Sequence, residues 1–351
     1  MKKVRVGIVG SKFAADFHCD AYSRNPNVEL AAVAAIDNLE AISGKWKIPS
    51  TYTDYDEMLK RADIDLISVC VPNFLHHDVV VAAARAGKHI VCEKPFAISS
   101  AQAEAMVAAV RKAGVKAFYA EDWVFAPALR RAIEVIREGG IGDVLYVKAR
   151  ECHNGTHSPF AKNAATCGGG CLIHLAIHPI GWALHLLGDE GRNPVVEVIG
   201  RVNGGGPGNY VHKDNTGEDW AVGIMKFRGG QHVFVEGNYI TTGGMDDRIE
   251  IYGTQGVLKV DLTFGSPITV YSRPGYGYCI EKTDNTLGWT KPAVDEFYNL
   301  GYVHELAYAV ECVQQDKPPM YGVSVELGLA CNRLIEAMYQ SSREGRTVKV
   351  A

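Results

Sequence analysis

The sequence predicts a doubly wound α/β domain followed by an α+β domain built around antiparallel strands. Over roughly the first 120 residues, short apolar runs alternate with stretches of helical periodicity, as βαβ units do. Those runs are apolar throughout rather than at every second residue, which suits parallel strands covered on both faces. From about residue 195 to 272 the runs alternate and are separated by glycine-rich turns, the pattern of hairpins. A chain of 351 residues exceeds the usual single-core limit, so two domains are expected, 1–123 and 124–351.

The elements follow in order. VRVGIVG (4–10) reads as the first strand; its apolar run is too short for a leader peptide and ends in glycine. VELAAVAAID (28–37), DLISVCVP (65–72), KHIVCEK (88–94) and KAFYAED (116–122) supply four more strands. Between them DVVVAAARAG and AQAEAMVAAVRKAG are helical, the second ending in a capping glycine. A helix APALRRAIEVIREGG then leads to a strand DVLYVKARECH and to the segment GGGCLIHLAIHPIGWALHLLG (168–188). After the hairpin region, helical sequence returns in HELAYAVECVQQ and VELGLACNRLIEAMYQSS.

Composition narrows the function classes. A net charge of −4 provides no basic footprint for nucleic acid and no polybasic membrane patch. No apolar run approaches the ~20 residues of a membrane span. The nine cysteines are an odd number, and Cys70 and Cys92 fall inside apolar strands. That usage points to reduced, buried thiols in a cytoplasmic protein.

The turn after the first strand, GSKFAA (10–15), opens a helix where a dinucleotide fold seats pyrophosphate. Gly10 and Ala15 hold the first and third fingerprint positions, and Lys12 stands where a second glycine is usual. Ser11, Lys12 and Phe13 are therefore expected against the cofactor, Lys12 as a phosphate contact or a solvated lysine. Asp37, ending strand two, is placed to accept from the adenosine ribose hydroxyls and to repel a 2′-phosphate, which favours NAD over NADP. VPNFLHH and CEKP lie at the carboxyl ends of parallel strands, where ligands bind in such sheets. These contribute Val71, Glu93 and Lys94, with Glu121 from the next strand end.

On a single helix, positions 174, 178, 181 and 185 make one stripe, occupied by His174, His178, Gly181 and His185. Leu172, Leu175, Ala176, Ala183, Leu186 and Leu187 occupy much of the remaining circumference as core. Pro179 lies inside the pattern, so a kink or break is expected near His178. Of the histidines, His178 is the functional candidate and His185 a packing one. Cys171, His174 and His178 also share a face that could hold zinc, with His153, His157 and Cys167 upstream; metal is the lesser reading.

GIVGSKFAADFH, VPNFLHHDVVVAAARAGKHIVCEKP and GGGCLIHLAIHPIGWALHLLG together resemble the motifs of the Gfo/Idh/MocA oxidoreductases. The resemblance spans most of the chain. It implies a Rossmann domain plus an α+β domain with a large, mostly antiparallel open sheet through which the family oligomerises. It also implies metal-independent, NAD(P)-dependent chemistry on a sugar, cyclitol or related hydroxyl. By motif position Lys94 is the lysine beside substrate and nicotinamide, His178 is the catalytic histidine, and Pro72, Asn73 and His76 border the cofactor. The sequence departs from the pattern at Lys12, at His174 and Gly181 (both usually aspartate). AEDWVFAPA and ECHNGTHSP resemble a branch that oxidises glycosides at the sugar 3-hydroxyl.

Oxidising an alcohol requires a base for the hydroxyl proton, a role imidazole suits near neutral pH. Lys94 and His178 are expected to form the proton-handling pair, the ammonium stabilising the developing alkoxide. His174 would position the sugar, and Trp123, His153 and His157 could line its site. Trp220 and Trp289 are expected in core or interface. Two other readings are redox-neutral glycoside cleavage through a transient 3-keto sugar with retained NAD, and a non-catalytic NAD(H) sensor.

Overall fold

The computed structural model describes residues 2–263 and 265–350. The chain begins β1 (Val4–Val9), α1 (Phe13–Ser23), β2 (Val28–Ala34), α2 (Leu39–Trp46), β3 (Thr51–Tyr52) and α3 (Tyr55–Leu59). It continues with β4 (Leu66–Val69), α4 (His76–Arg85), β5 (His89–Cys92), α5 (Ser100–Ala113), β6 (Ala117–Tyr119) and α6 (Pro127–Arg137). Next come β7 (Val144–Cys152), α7 (Ala164–Cys167), α8 (Cys171–His174), α9 (Ile177–Leu187) and β8 (Val195–Val202). Four strands follow, β9 (Trp220–Phe227), β10 (His232–Asn238), β11 (Asp246–Gly253) and β12 (Val257–Asp261), then a small pair, β13 (Val270–Ser272) and β14 (Gly288–Thr290). The chain ends with α10 (Glu296–Leu300), α11 (Tyr302–Gln314), α12 (Val325–Glu344) and β15 (Val348–Lys349).

These elements divide into two compact units, 1–122 with 301–332, and 123–300 with 333–351. The first is a six-stranded parallel sheet in the order β3-β2-β1-β4-β5-β6. Every residue of β4 and β6 is buried, as are three of the four in β5, which accounts for their unbroken apolar sequences. The order reverses between β1 and β4, the switch point where such sheets bind ligands. Helix α5 is delimited as its sequence suggests, with the Ser99 hydroxyl accepting from Gln102 N and Gly114 closing it at φ +67°.

The return of 301–332 to this unit departs from the expected boundary, which put everything after 123 in the second domain. The reason is long-range packing. Tyr302 meets Phe17 of α1 edge-on at 5.1 Å, Glu326 pairs with Arg111 at 2.9 Å, and Asn332 Nδ2 donates to Ala97 O at 2.6 Å.

The second unit is built on a seven-stranded sheet, β12-β11-β7-β10-β9-β8-β15. All its pairings are antiparallel except β7 with β10, which run parallel. Along β7 the burial alternates, with Val147, Ala149 and Glu151 turned inward and Lys148 outward. On the outer face Ile199, Ile224 and Phe234 lie side by side across three strands. Tyr146 and Tyr252 stack there at 5.6 Å, with the Lys148 ammonium over both rings.

The histidine segment forms two helices rather than the single one expected. The helical run ending at His174 and helix α9 meet at 52°. Pro179 sits in the first turn of α9, and its ring is incompatible with the carbonyl four residues back, at Leu175. The helix therefore breaks at Leu175–Ala176, just ahead of His178, as a break rather than a kink. Two of the three glycines ahead of it answer to packing: a Cβ on Gly169 would meet Tyr339 OH, and one on Gly170 would lie 2.2 Å from Glu218 O. Among the described residues no single helix is long and apolar enough to cross a membrane.

Candidate active site

In the first unit the turn after β1 carries the cofactor features. Gly10 has φ +126° and donates to Ala34 O at 2.9 Å; a Cβ there would fall 2.2 Å from Cys70 O. Only glycine tolerates that approach of the turn to the end of β4. Helix α1 then opens at Lys12 with no side-chain cap, so the cap leaves its leading N–H groups to other partners, as a pyrophosphate seat requires. The residues present fit a dinucleotide.

Asp37 lies three residues beyond β2, where Ser11 Oγ donates to Oδ1 and Lys12 Nζ pairs with Oδ2, both at 2.9 Å. The Lys12 bond, then the Ser11 bond, holds its carboxyl below the usual range. The Lys12 side chain is largely exposed, as a solvated lysine would be, with its ammonium paired to Asp37. Phe13 stays exposed and rests its ring on Phe17 at 4.1 Å.

At the other strand ends, Val71 and Pro72 are half-buried and Asn73 is buried. His76 is wholly buried rather than lining a surface. Its ring bridges Pro95 O (2.8 Å) and Val71 O (2.9 Å), tying the loop after β4 to the turn after β5. Burial pushes its pKa down. Glu93 is buried and accepts from His18 Nε2 at 2.8 Å and from Lys94 N at 3.1 Å. Burial pushes the Glu93 carboxyl up, but His18 and the Lys94 charge outweigh it and the net shift is down. His18 Nδ1 in turn lies 2.6 Å from Ser68 Oγ, which Tyr22 OH meets at 3.2 Å. From Ile90 to Ala97 every residue is buried except Lys94, which follows β5 at a cis Lys94–Pro95 bond. Glu121 is fully buried and accepts from Tyr119 OH at 3.3 Å.

In the second unit His178 is buried at the start of α9. Its ring stacks on Trp123 at 5.7 Å and 13°, and its Nε2 lies 3.8 Å from Glu151 Oε2. Trp123 is itself 1% exposed, so its indole supports His178 and is not open to a ligand as expected. Glu151 was not anticipated; its signal is an acidic residue at an inward position of β7. A carboxylate beside the ring stabilises the charge that imidazole gains on taking a proton.

His174 is half-buried, in contrast to every other residue from Cys171 to Leu184. Its Nδ1 is hydrogen-bonded to Tyr239 OH, a second residue the sequence reading missed. His153 is buried, accepts from Gly155 N at 3.1 Å, and lies 5.4 Å from the Tyr239 ring. His157 is exposed, and burial followed by the Lys282 charge moves its pKa down. His185 is half-buried at the far end of α9, and burial pushes its pKa down to about 4, which fits a packing residue. Trp220 is half-buried and Trp289 is 74% exposed, so Trp289 is not core.

The break at Leu175 also removes the stripe that Cys171, His174 and His178 would share. Cys171 is buried, and burial followed by Glu218 pushes its thiol well up, so it keeps its proton. All nine cysteines are buried thiols without disulfides, as expected.

Both halves of the chain match known protein families. Residues 4–121 fit the oxidoreductase family, NAD-binding Rossmann fold, and residues 133–350 fit its C-terminal alpha/beta domain. Myo-inositol 2-dehydrogenase of Thermotoga maritima is 24% identical across 99% of this chain and 98% of its own. D-glucoside 3-dehydrogenase of Escherichia coli K12 is 26% identical across 99% and 97%. The crystal structure of GenD2 from gentamicin A biosynthesis in complex with NAD superposes with a TM-score of 0.91 at 24% identity, covering 100% and 97% of the two chains. This chain, an NAD-binding oxidoreductase, belongs to the Gfo/Idh/MocA family.

Proposed function

We propose that the enzyme is an NAD-dependent dehydrogenase acting on a ring hydroxyl of a sugar, glycoside or cyclitol. The observation that carries this reading is His178, a buried imidazole held between the Trp123 face and the Glu151 carboxylate. A base so fixed can take a hydroxyl proton, and the carboxylate stabilises the imidazolium that results. Lys94 supplies the positive charge for the developing alkoxide, and His174 positions a neighbouring oxygen of the ring. When bound, the nicotinamide supplies the hydride acceptor. Gly10, Ser11, the opening of α1 and Asp37 hold the dinucleotide, with Pro72, Asn73 and Glu121 at the adjoining strand ends. Asp37 argues for NAD over NADP, because its ionised carboxylate repels a 2′-phosphate even with Lys12 beside it.

The test is a screen for NADH formation across inositols, monosaccharides and aryl glucosides, run with NAD and with NADP. We expect turnover with at least one polyol, faster with NAD. Aryl glucosides that release their aglycone without NADH accumulating would replace this reading with redox-neutral cleavage at the same site. Ligand binding with no oxidation of any polyol would make the protein a sensor.

The outer sheet face points to a second copy of this chain as partner. Ile199, Ile224 and Phe234 form an apolar row beside the Tyr146–Tyr252 stack, with charges around it. Edge and face exposure of this kind favours assembly. We expect sedimentation to show at least a dimer and Ile224→Lys to dissociate it; a monomeric parent protein would remove the proposal. The buried thiols suit a cytoplasmic setting.

A further inference from the structure

Helix α8 is a single turn of four residues, and a turn of that length does not hold its own geometry in water. Yet it ends at His174, and α9 opens two residues further on with Ile177 and His178. What places the two histidines therefore lies outside 171–178. The leading amides of a helix have no partners within it, and here they show where the anchor is. Cys171 N donates to the Glu218 backbone carbonyl and Leu172 N to Glu218 Oε1, both at 2.9 Å. Gly170 N donates to the Tyr339 hydroxyl at 3.2 Å, and that hydroxyl donates in turn to Glu218 Oε1 at 2.8 Å.

Both partners come from far along the chain, Glu218 from two residues ahead of β9 and Tyr339 from the part of α12 that belongs to the second unit. Glu218 is 6% exposed. Burial pushes its carboxyl up while the Leu172 amide and the Tyr339 hydroxyl hold it down, with a net rise. Burial, followed by the Glu218 charge, pushes the Tyr339 phenol well up, so its hydrogen stays available to Glu218. Glycines permit the approach: a Cβ on Gly217 would meet the Gly169 carbonyl, as Cβ atoms on Gly169 and Gly170 would meet Tyr339 and Glu218. Further on, a Cβ on Gly237 of β10 would press on Cys171 O and Ala176 N, so this strand bounds the break between the helices. From the anchored end the backbone bonds run on, His174 N to Gly170 O at 3.1 Å, Ala176 N to Cys171 O at 3.2 Å and His178 N to Leu175 O at 3.1 Å. Each bond passes the position set at Gly170–Leu172 towards the histidines.

We propose that Glu218 and Tyr339 form one latch that sets where His174 and His178 stand, and that both are positioning residues for the proton transfer. The inference rests on the reading of His178 as the base. Glu218 and Tyr339 act through the backbone of 170–178, and placement matters steeply, since a misplacement of about 1 Å can cost roughly 10²-fold in rate. The two side chains work as a unit because they share Oε1. Without the phenol, Gly170 N loses its acceptor and Oε1 loses a donor. Without the carboxylate, Leu172 N and the phenol both lose theirs. Removing either member opens the latch, and removing both opens it no further.

The first test needs no substrate. Amide hydrogen exchange of the full chain is followed peptide by peptide in the parent, in Tyr339→Phe, which keeps the ring, and in Glu218→Ala. We expect exchange across 170–178 to quicken about tenfold in both variants, while β7 and the distal part of α9 keep the parent's rates. Unchanged exchange at 170–178, or equal loosening of the whole unit, overturns the proposal whatever the enzyme oxidises. The second test uses a polyol found by the screen, with kcat referred to the number of NAD sites titrated, so that a misfolded fraction does not count. Tyr339→Phe should lower kcat about tenfold with the NAD dissociation constant unchanged, the loss of one oriented hydrogen bond. Glu218→Ala should lose at least as much, the double variant no more than Glu218→Ala, and Glu218→Gln, which keeps an acceptor oxygen, should recover part of the loss. A kcat per NAD site within twofold of the parent, losses that multiply in the double variant, or a loss that lies in NAD binding counts against the latch. Should Glu218→Ala fail to fold, Tyr339→Phe decides both tests. A protein that oxidises no polyol but shows the local quickening of exchange defeats the proposed function and leaves the latch standing.

Discussion

Replacing His178 with alanine is expected to lower kcat by about 10²–10⁴-fold, the range for loss of a positioned general base. The geometry makes the result specific. Trp123 covers one face of the ring, and Glu151 faces Nε2 at 3.8 Å, so the imidazole has one orientation in which to receive a proton. NAD binding should persist, because the residues assigned to the dinucleotide lie in the other unit. The alanine variant leaves an imidazole-sized gap beside a flat indole, and added imidazole should restore part of the turnover by occupying it. Glu151→Gln should lose less, because the ring stays in place and only stabilisation of its charged form is reduced. Activity of His178→Ala within a few-fold of the parent would end the assignment. A large loss without rescue, accompanied by weaker NAD binding, would mean that His178 serves packing.

The parallel sheet was legible because its inner strands are buried on both faces and so read as apolar runs, whereas the short, partly exposed β3 carries no such run and was not foreseen. Gly10 was legible too, since a turn that brings Cβ onto Cys70 O admits glycine alone. What escaped were contacts between distant residues. Glu151 and Tyr239 reach the histidines from β7 and the end of β10, and no spacing within 168–188 contains them. Period-two burial along VKAREC does place Glu151 with Val147 and Ala149 on the inward face, and an acid there was the available signal. The histidine helix was misread in a different way. Pro179 was recognised as a breaker, but its steric conflict is with the carbonyl four residues earlier. The break therefore falls at Leu175 and separates Cys171 and His174 from His178. The return of 301–332 to the first unit was hidden for the same reason as Glu151: an amphipathic helix such as α11 shows that it has an apolar face, not which helix that face meets.

Lys94→Met is the second large effect expected, a kcat loss of about 10²–10³-fold with the cofactor dissociation constant nearly unchanged. Methionine keeps most of the side chain's length and apolar stem, so the substitution removes little beyond the charge. That magnitude is typical when a preorganised group stabilising developing negative charge is removed. Preorganisation here is visible in the backbone. Lys94 N donates to Glu93 Oε2, whose other oxygen accepts from His18, and His18 is held by Ser68. The side chain therefore leaves a fixed base, and from Ile90 to Ala97 Lys94 alone is not fully buried. Lys94→Arg retains the charge on a larger planar group, and because the two cations differ in shape and hydration it should recover only a fraction of the activity. If Lys94 were an ordinary loop lysine, both variants would turn over within a few-fold of the parent. If it served chiefly to bind the cofactor, the loss would appear in the NAD dissociation constant and saturating NAD would restore kcat. A loss that survives saturation, partly relieved by arginine and not by methionine, is the pattern that belongs to a charge acting on the reacting oxygen.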